Sequence, residues 1–416
     1  MRLLIADKLH PRAVEELRAL PLDVVYEPEI TKETLETKLG NVGILVVRST
    51  EVTAKAIEGA RQLNLIVRAG NETTTIDVRA ASKRGVYVAN CPGRNASAVA
   101  ELVFGMLVAL DRRIPDAVQS LREGRWERLE YSKAEGLIGK TLGIAGLGAI
   151  GREVAMRARA FGLHPVAWSR SLTPSRAAEL GIGYASSLEE LAQRSDALTV
   201  HLALTERTRN VVGKRIFDAM PKKALFVNVA REGLVDYEAL RDAVAHRGLR
   251  AAVDVYPNEP KGGKTFATDL FVAPAPPSSG GGRGADAPGF VYGTPHIAAS
   301  TDQAQLAVAQ ETVRVIRSFL LEGAVPNVVN VLAQTSARFQ LVIRMLDKVG
   351  TFANVLAVLK RHGINVEEVN NNVFEGGVAA CAKLRAMSRP NEACLSEIRA
   401  FEEVLHIDVV PLPNLA

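Results

Sequence analysis

Short, unbroken apolar runs alternate with helix-spaced segments over much of the 416-residue chain. Leu3–Ala6, Ile44–Val47 and Leu65–Val67 read as strands, and Pro11–Leu20 and Ala54–Ala60 as helices between them. A strand that is apolar throughout, without alternation, is what a parallel sheet covered on both faces demands. Residues 1–94 therefore predict a small α/β unit. Ala96–Asp111 reads as a long helix with apolar residues on several faces, the pattern of burial between domains or subunits. A second α/β unit follows, with strands at Leu142–Ala145, His164–Trp168, Ala197–Leu202, Ala224–Val229 and Ala251–Tyr256. Helix Thr301–Glu322 is expected to return to the first unit. The boundaries implied are 1–94 with 299–325 for one domain and 95–298 for the other. The two crossings between them create a hinge and a cleft.

Past a linker at 326–337 the pattern changes. Phe339–Met345 reads as a strand, Phe352, Val355, Leu356 and Leu359 fall at helical spacing, and Gly363 is a helix stop. Ile364–Phe374 and Val378–Ala386 predict a hairpin around Glu375–Gly377, followed by a helix at Asn391–Phe401 and a strand at Leu405–Val410. That order, βαββαβ, is ferredoxin-like and occupies 338–416. By contrast, the stretch 273–289 is rich in proline, glycine and serine, cannot bury a core, and is expected to be a mobile surface loop.

Composition narrows the classes. Nearly half of the residues are apolar, 47%, enough for large cores. The net charge of +5 is scattered, with no basic block or aromatic–basic stripe, so nucleic acid is not an expected partner. The excess of positive charge favours anionic substrates. Cys91, Cys381 and Cys394 lie far apart and show no zinc spacing, which points to a reducing cytoplasm and no metal. The first residues, Met1–Asp7, carry a charge too early for a signal peptide, and no apolar run reaches membrane-spanning length.

The chemistry starts at Gly146-Leu-Gly148-Ala149-Ile150-Gly151, which joins a strand to a helix at the G-x-G-x-x-G spacing. Gly146 permits the turn, Gly148 lets backbone approach a pyrophosphate, and Gly151 lets the helix sit close to the strand. The helix N-terminus, with Ala149 and Ile150, then faces the anion. The unit is thus a dinucleotide-binding, doubly wound domain. An acid about 20 residues past the glycines would hold an adenosine 2′-hydroxyl. The chain has Ser169-Arg170 there, which favours NADP(H) over NAD(H), with NAD left open.

Three later segments end in residues suited to hydride chemistry: Val227–Asp236 with Ala230-Arg231, Ala252–Pro260 with Asp254 and Glu259, and Gly293–Thr301 with His296. Oxidising an alcohol beside a carboxylate needs a base for the hydroxyl proton, and histidine titrates near neutral pH. A carboxylate behind it fixes the tautomer, and an arginine fork holds the substrate carboxylate. All three segments follow strands at the carboxyl edge, where open α/β sheets place ligands. In the first domain, Arg48 with Ser49 and Arg68 with Gly70 and Asn71 lie at strand ends. Two arginines at a cleft suit a phosphorylated acid.

The order of these motifs over residues 1–330 resembles the D-2-hydroxyacid dehydrogenases, and Leu346–Ala353 with Gly363–Val366 resembles an ACT domain. The resemblance implies His296 as acid/base, Glu259 as its partner and Arg231 as carboxylate binder. It places Asp254 near the nicotinamide carboxamide, the alternative for that residue being a turn-stabilising acid. It also implies that the Arg48 and Arg68 loops hold substrate. Together the two parts imply NAD(P)-dependent oxidation of 3-phospho-D-glycerate, at the start of serine synthesis, by a homodimer or homotetramer. Alternatives are a glyoxylate or hydroxypyruvate reductase of the same family and, remotely, an NAD(H)-sensing corepressor. The family pattern after Arg68-Ala-Gly70 has a further glycine and an asparagine; here the loop reads Asn71-Glu72-Thr-Thr-Thr75, which sets Glu72 beside an anionic substrate. The tail implies an amino-acid effector, with Met345 and Asp347 where histidine and asparagine are usual for serine, and Asn365 retained.

Overall fold

The computed structural model describes residues 1–260, 265–266, 268–271, 289–332 and 335–413. They form two compact units, Met1–Asn330 and Val331–Ala416. The expected loop at 273–289 lies outside the described residues except for Gly289.

The first unit holds two parallel sheets. One is built from β1 (Arg2–Ile5), β2 (Asp23–Tyr26), β3 (Ile44–Val47), β4 (Leu65–Arg68) and β5 (Tyr87–Ala89), in the order β2-β1-β3-β4-β5. Its central strands are apolar throughout because both faces are covered: Leu45 and Ile66 pack with Leu35 and Ile57 on one side, Ile44 with Leu17, Val313 and Ile316 on the other. The other sheet contains β6 (Thr141–Ala145), β7 (His164–Trp168), β8 (Gly183–Tyr184), β9 (Ala197–Val200), β10 (Leu225–Asn228), β11 (Arg250–Val253) and β12 (Phe290–Gly293). Its order is β12-β11-β10-β9-β6-β7-β8. Strand order therefore reverses beside β1 in the first sheet and beside β6 in the second, and the crevices at such reversals are where doubly wound folds bind ligands.

Two helices cross between the sheets. Ala96–Arg112 buries Val103 and Leu107 against Ile144 and Val227 of the second sheet, and it ends where Arg113 turns left-handed at φ 52°. Asp302–Glu322 returns, capped by the Thr301 hydroxyl on the Ala304 N–H and stopped at Gly323. Its Glu311, 4% exposed, accepts from Arg94, Arg314 and Asn327 at 2.6 Å each. The Arg314 hydrogen bond is the main reason that this carboxyl is held down at about 2. Arg94, just before one crossing helix, is thus tied to the middle of the other.

The second unit contains β13 (Phe339–Leu346), β14 (Val366–Val373), β15 (Ala379–Ala386) and β16 (Val404–Pro411), with helices at Thr351–Arg361 and Glu392–Arg399. The sheet is antiparallel in the order β14-β15-β13-β16, the ferredoxin-like arrangement. Alternation returns here because only one face is covered: Leu341, Ile343 and Met345 are buried with Val355, Leu359 and Ile398. Gly376 and Gly377, at φ 88° and 66°, make the hairpin turn between β14 and β15. Met345 is only 2% exposed, so its side chain belongs to the core, while Asp347 and Asn365 are exposed.

Candidate active site

A cleft of about 630 Å³ opens between the carboxyl ends of the two sheets, within the range of roughly 300–1,000 Å³ usual for ligand sites. Lys8 and His10 follow β1, Arg48 follows β3, and Arg68 ends β4. Facing them are Gly148, Ala149 and Ile150 after β6, His201 after β9, and Ala230 and Arg231 after β10. The cleft therefore sits at both strand-order reversals at once.

The glycine turn has the geometry of an anion cradle. Gly146 has φ 101°, and a Cβ there would lie 2.6 Å from the His201 carbonyl oxygen. A Cβ on Gly151 would lie 2.1 Å from the Gly146 carbonyl oxygen, so the helix can approach the strand only without one. At Gly148 a Cβ would meet nothing within 4 Å. Helix Ala149–Ala160 has no side-chain cap, which leaves its N-terminal amides for a ligand. These residues fit the pyrophosphate of a dinucleotide. Ser169 and Arg170 lie past the end of the neighbouring β7. Arg170 is exposed and forms no ion pair among the described residues.

His296 lies on the loop after β12, with backbone in the left-handed region at φ 53°. Its Nδ1 is 2.7 Å from Glu259 Oε2, and Glu259 Oε1 accepts from the Tyr256 N–H at 3.0 Å. The carboxylate fixes the imidazole by one oxygen while its own backbone turn holds the other. Asp254 is fully buried and does not line the cleft. Its Oδ1 accepts from Thr294 Oγ1 at 2.6 Å and Ile297 N at 2.8 Å, and its Oδ2 from Ala298 N at 2.9 Å. These bonds suit the turn-stabilising alternative for this acid. Both oxygens are engaged by the loop that presents His296.

Arg231 is aimed by Asn228, a buried side chain that donates to the Arg231 carbonyl at 3.1 Å and accepts from the Ala230 N–H at 3.1 Å. Arg231 Nη2 lies 2.8 Å from Glu72 Oε2, across the cleft. Arg68 is packed so tightly that a Cβ on Gly70 would fall 1.5 Å from its Nη1. Gly70 is thus the space for the Arg68 guanidinium. Burial pushes the Arg68 pKa down, opposed by the attraction of Glu72. Asn71 ties its loop to the segment before the first crossing helix, accepting from the Gly93 N–H at 3.2 Å.

Several residues of the cleft escape a reading by motif. Asp7 accepts the N–H groups of Arg48, Ser49 and Thr50 at 2.6, 3.0 and 2.9 Å, and the Ser49 hydroxyl at 2.9 Å. The Ser49 hydroxyl is therefore spent on shaping the loop. Lys8 and His10 join the cleft beside it; their signal is a polar run directly after the apolar Leu3–Ala6. His201 bonds Thr199 through Nε2 at 3.0 Å, and burial takes its pKa down to about 3, so it lines the cleft as a neutral ring. Among the described residues no cluster of His, Cys, Asp and Glu could hold a metal ion, and no helix is long and apolar enough to cross a membrane.

Residues 104–298 match the family described as D-isomer specific 2-hydroxyacid dehydrogenase, NAD binding domain. A D-3-phosphoglycerate dehydrogenase of Methanocaldococcus jannaschii is 37% identical over 337 residues, covering 79% of this chain and 60% of that protein. That of Archaeoglobus fulgidus is 34% identical over 360 residues, covering 85% of this chain and 64% of that protein. The chain thus spans less than two thirds of the length of these curated relatives. A solved NADPH-dependent glyoxylate/hydroxypyruvate reductase of Sinorhizobium meliloti, in complex with NADP and malonate, aligns with a TM-score of 0.64 and 26% identity. It covers 79% of this chain and 96% of that one.

Proposed function

From a chain that belongs to the D-isomer specific 2-hydroxyacid dehydrogenases through its NAD-binding domain at 104–298, we propose that it oxidises 3-phospho-D-glycerate to 3-phosphohydroxypyruvate with a nicotinamide dinucleotide. One observation carries this reading. His296, with Glu259 paired behind it, shares a cleft with Arg231 and three further cationic side chains, Lys8, Arg48 and Arg68. An acid with a second anionic group matches that charge arrangement better than a simple 2-hydroxy acid does.

The bound nicotinamide supplies the hydride acceptor for substrate carbon 2. His296 takes the hydroxyl proton, and Glu259 keeps its other nitrogen oriented and stabilises the imidazolium that results. Arg231 forks the carboxylate, and Arg48, Arg68 and Lys8 receive the phosphate. Holding the acid at both ends is what brings its reacting carbon into a fixed position. The test is turnover of 3-phospho-D-glycerate by the purified chain, compared with reduction of hydroxypyruvate and glyoxylate. A preference of more than about tenfold for hydroxypyruvate, about 1.4 kcal/mol in transition-state binding, would contradict it. Reduction of such unphosphorylated acids is the second reading, favoured by the exposed Arg170 at the adenosine end of the site.

For the coenzyme we propose NADP(H), with Arg170 and Ser169 receiving a 2′-phosphate. Arg170→Ala then weakens NADPH binding by about tenfold, the worth of roughly one charge-assisted contact, and leaves NADH binding nearly unchanged. Fluorescence titration of both coenzymes checks it, and equal losses for the two would refute the assignment. We also propose a homo-oligomer. The stretch 114–138, with helices Ile114–Arg122 and Arg128–Tyr131, exposes Leu121, Trp126, Leu129 and Ile138, the last three at 81–87%. So many large apolar side chains on one surface stretch suit a second copy of the chain. Light scattering should give a mass of at least two chains, and a mass of one chain would exclude it. The cytoplasm is the setting that suits three unpaired thiols.

A further inference from the structure

The ion pair between Glu72 and Arg231 joins the two halves of the cleft. Glu72 sits on the loop after β4 of the first sheet, and Arg231 on the loop after β10 of the second. Among the described residues no other ion pair bridges these halves. The pair uses Arg231 Nη2 at 2.8 Å, while Nη1 donates to the Ala230 carbonyl at 2.6 Å. One N–H at each end of the guanidinium fork is thus already engaged.

We infer that Glu72 is a specificity-determining residue, an internal carboxylate that occupies Arg231 in place of the substrate's carboxylate and lowers affinity for acids that bring only one negative group. The inference rests on the reading of Arg231 as the carboxylate binder. A substrate carboxylate that forks across Arg231 competes with Glu72 for Nη2 and has that like charge beside it. Arg68 is not paired with this site, its guanidinium lying in the space left by Gly70. Lys8 and Arg48 line the same cleft, so an acid with a second anionic group recovers there what it loses at Arg231. A monocarboxylate has no such recourse. The side chains of Arg231 and Glu72 are 37% and 33% exposed, so water screens the pair and the effect is moderate rather than absolute.

The test uses oxamate, which has one carboxylate beside a carbonyl and cannot accept hydride. It is titrated calorimetrically into the full chain saturated with NADPH or NADH, whichever binds more tightly. Glu72→Gln and Glu72→Gly should each bind oxamate at least about threefold more tightly than the natural chain, the scale of a partly exposed ion pair. Coenzyme affinity should stay within about twofold, which also reports that the variants are folded. Unchanged or weaker oxamate binding in both variants overturns the assignment. Absence of oxamate binding in all three proteins overturns it too, by removing the carboxylate role of Arg231. The titration needs no turnover, so inactivity toward 3-phospho-D-glycerate would count against the proposed reaction without deciding this point.

Discussion

Replacing His296 with alanine should lower turnover by about 10²–10⁴-fold, the usual worth of a positioned general acid or base. Coenzyme affinity should change by less than about twofold, because the imidazole faces Glu259 at 2.7 Å and lies on a different loop from the glycine turn. The backbone complicates the reading, since His296 is left-handed at φ 53° and alanine tolerates that region poorly. Asparagine tolerates it better and cannot serve as the base, so His296→Asn is the control. Both variants should lose turnover to a similar extent. Loss in the alanine variant alone would mean that loop geometry, not proton transfer, is what His296 provides. Steady-state kinetics and coenzyme titration on the same preparations separate these outcomes.

The second large effect is expected at Asp254. Its carboxylate is buried and accepts three hydrogen bonds from the stretch Thr294–Ala298, on either side of His296. Asparagine in its place keeps one accepting oxygen and turns an N–H₂ group toward a donor. At least one buried donor is then unsatisfied, at a cost of about 1–3 kcal/mol. Displacing the loop by even an ångström costs catalysis on the order of 100-fold. Asp254→Asn should therefore reduce both the denaturation midpoint and kcat, with coenzyme affinity little changed. A residue that chiefly held the carboxamide would show the reverse, with weakened coenzyme binding and an intact midpoint.

Asp254 also illustrates how far the sequence carries. Its position within the apolar stretch Ala251–Tyr256, directly after the strand Arg250–Val253, is readable from the pattern, and so is the presence of a carboxylate near the cleft. Which way that carboxylate faces depends on the loop that returns beside it some 40 residues later, a pairing that no local period encodes. The main strands of both parallel sheets are legible because burial on both faces makes them apolar throughout. The strands Asp23–Tyr26, Tyr87–Ala89, Gly183–Tyr184 and Phe290–Gly293, the four sheet edges, escape that reading. Asp23–Tyr26 carries a charged residue, Tyr87–Ala89 and Gly183–Tyr184 are only three and two residues long, and Phe290–Gly293 follows a stretch of proline and glycine that hides its apolar start. In the tail, alternation in Phe339–Leu346 and the two-glycine turn make the antiparallel sheet readable.

At the site, the residues singled out by motif come together: the glycine turn, Arg231, Arg48, Arg68 and His296 border one cleft, with Glu259 behind the imidazole. What the motifs miss are the residues that aim them. Asp7 gathers three backbone N–H groups of the Arg48 loop, and Asn228 sets the bend before Arg231. Both are short polar side chains at strand ends, a class too common in sequence to single out. Glu72 is the converse, conspicuous in sequence as an acid beside an anion site, yet only the fold shows that its partner is Arg231.

The account as a whole is tested most directly by following one atom. With 3-phospho-D-glycerate carrying deuterium at carbon 2 and the oxidised coenzyme, the purified chain should deliver that deuterium to carbon 4 of the nicotinamide, at a rate that falls with His296→Ala. Deuterium that stays on the acid, or exchanges into water without coenzyme reduction, would contradict it.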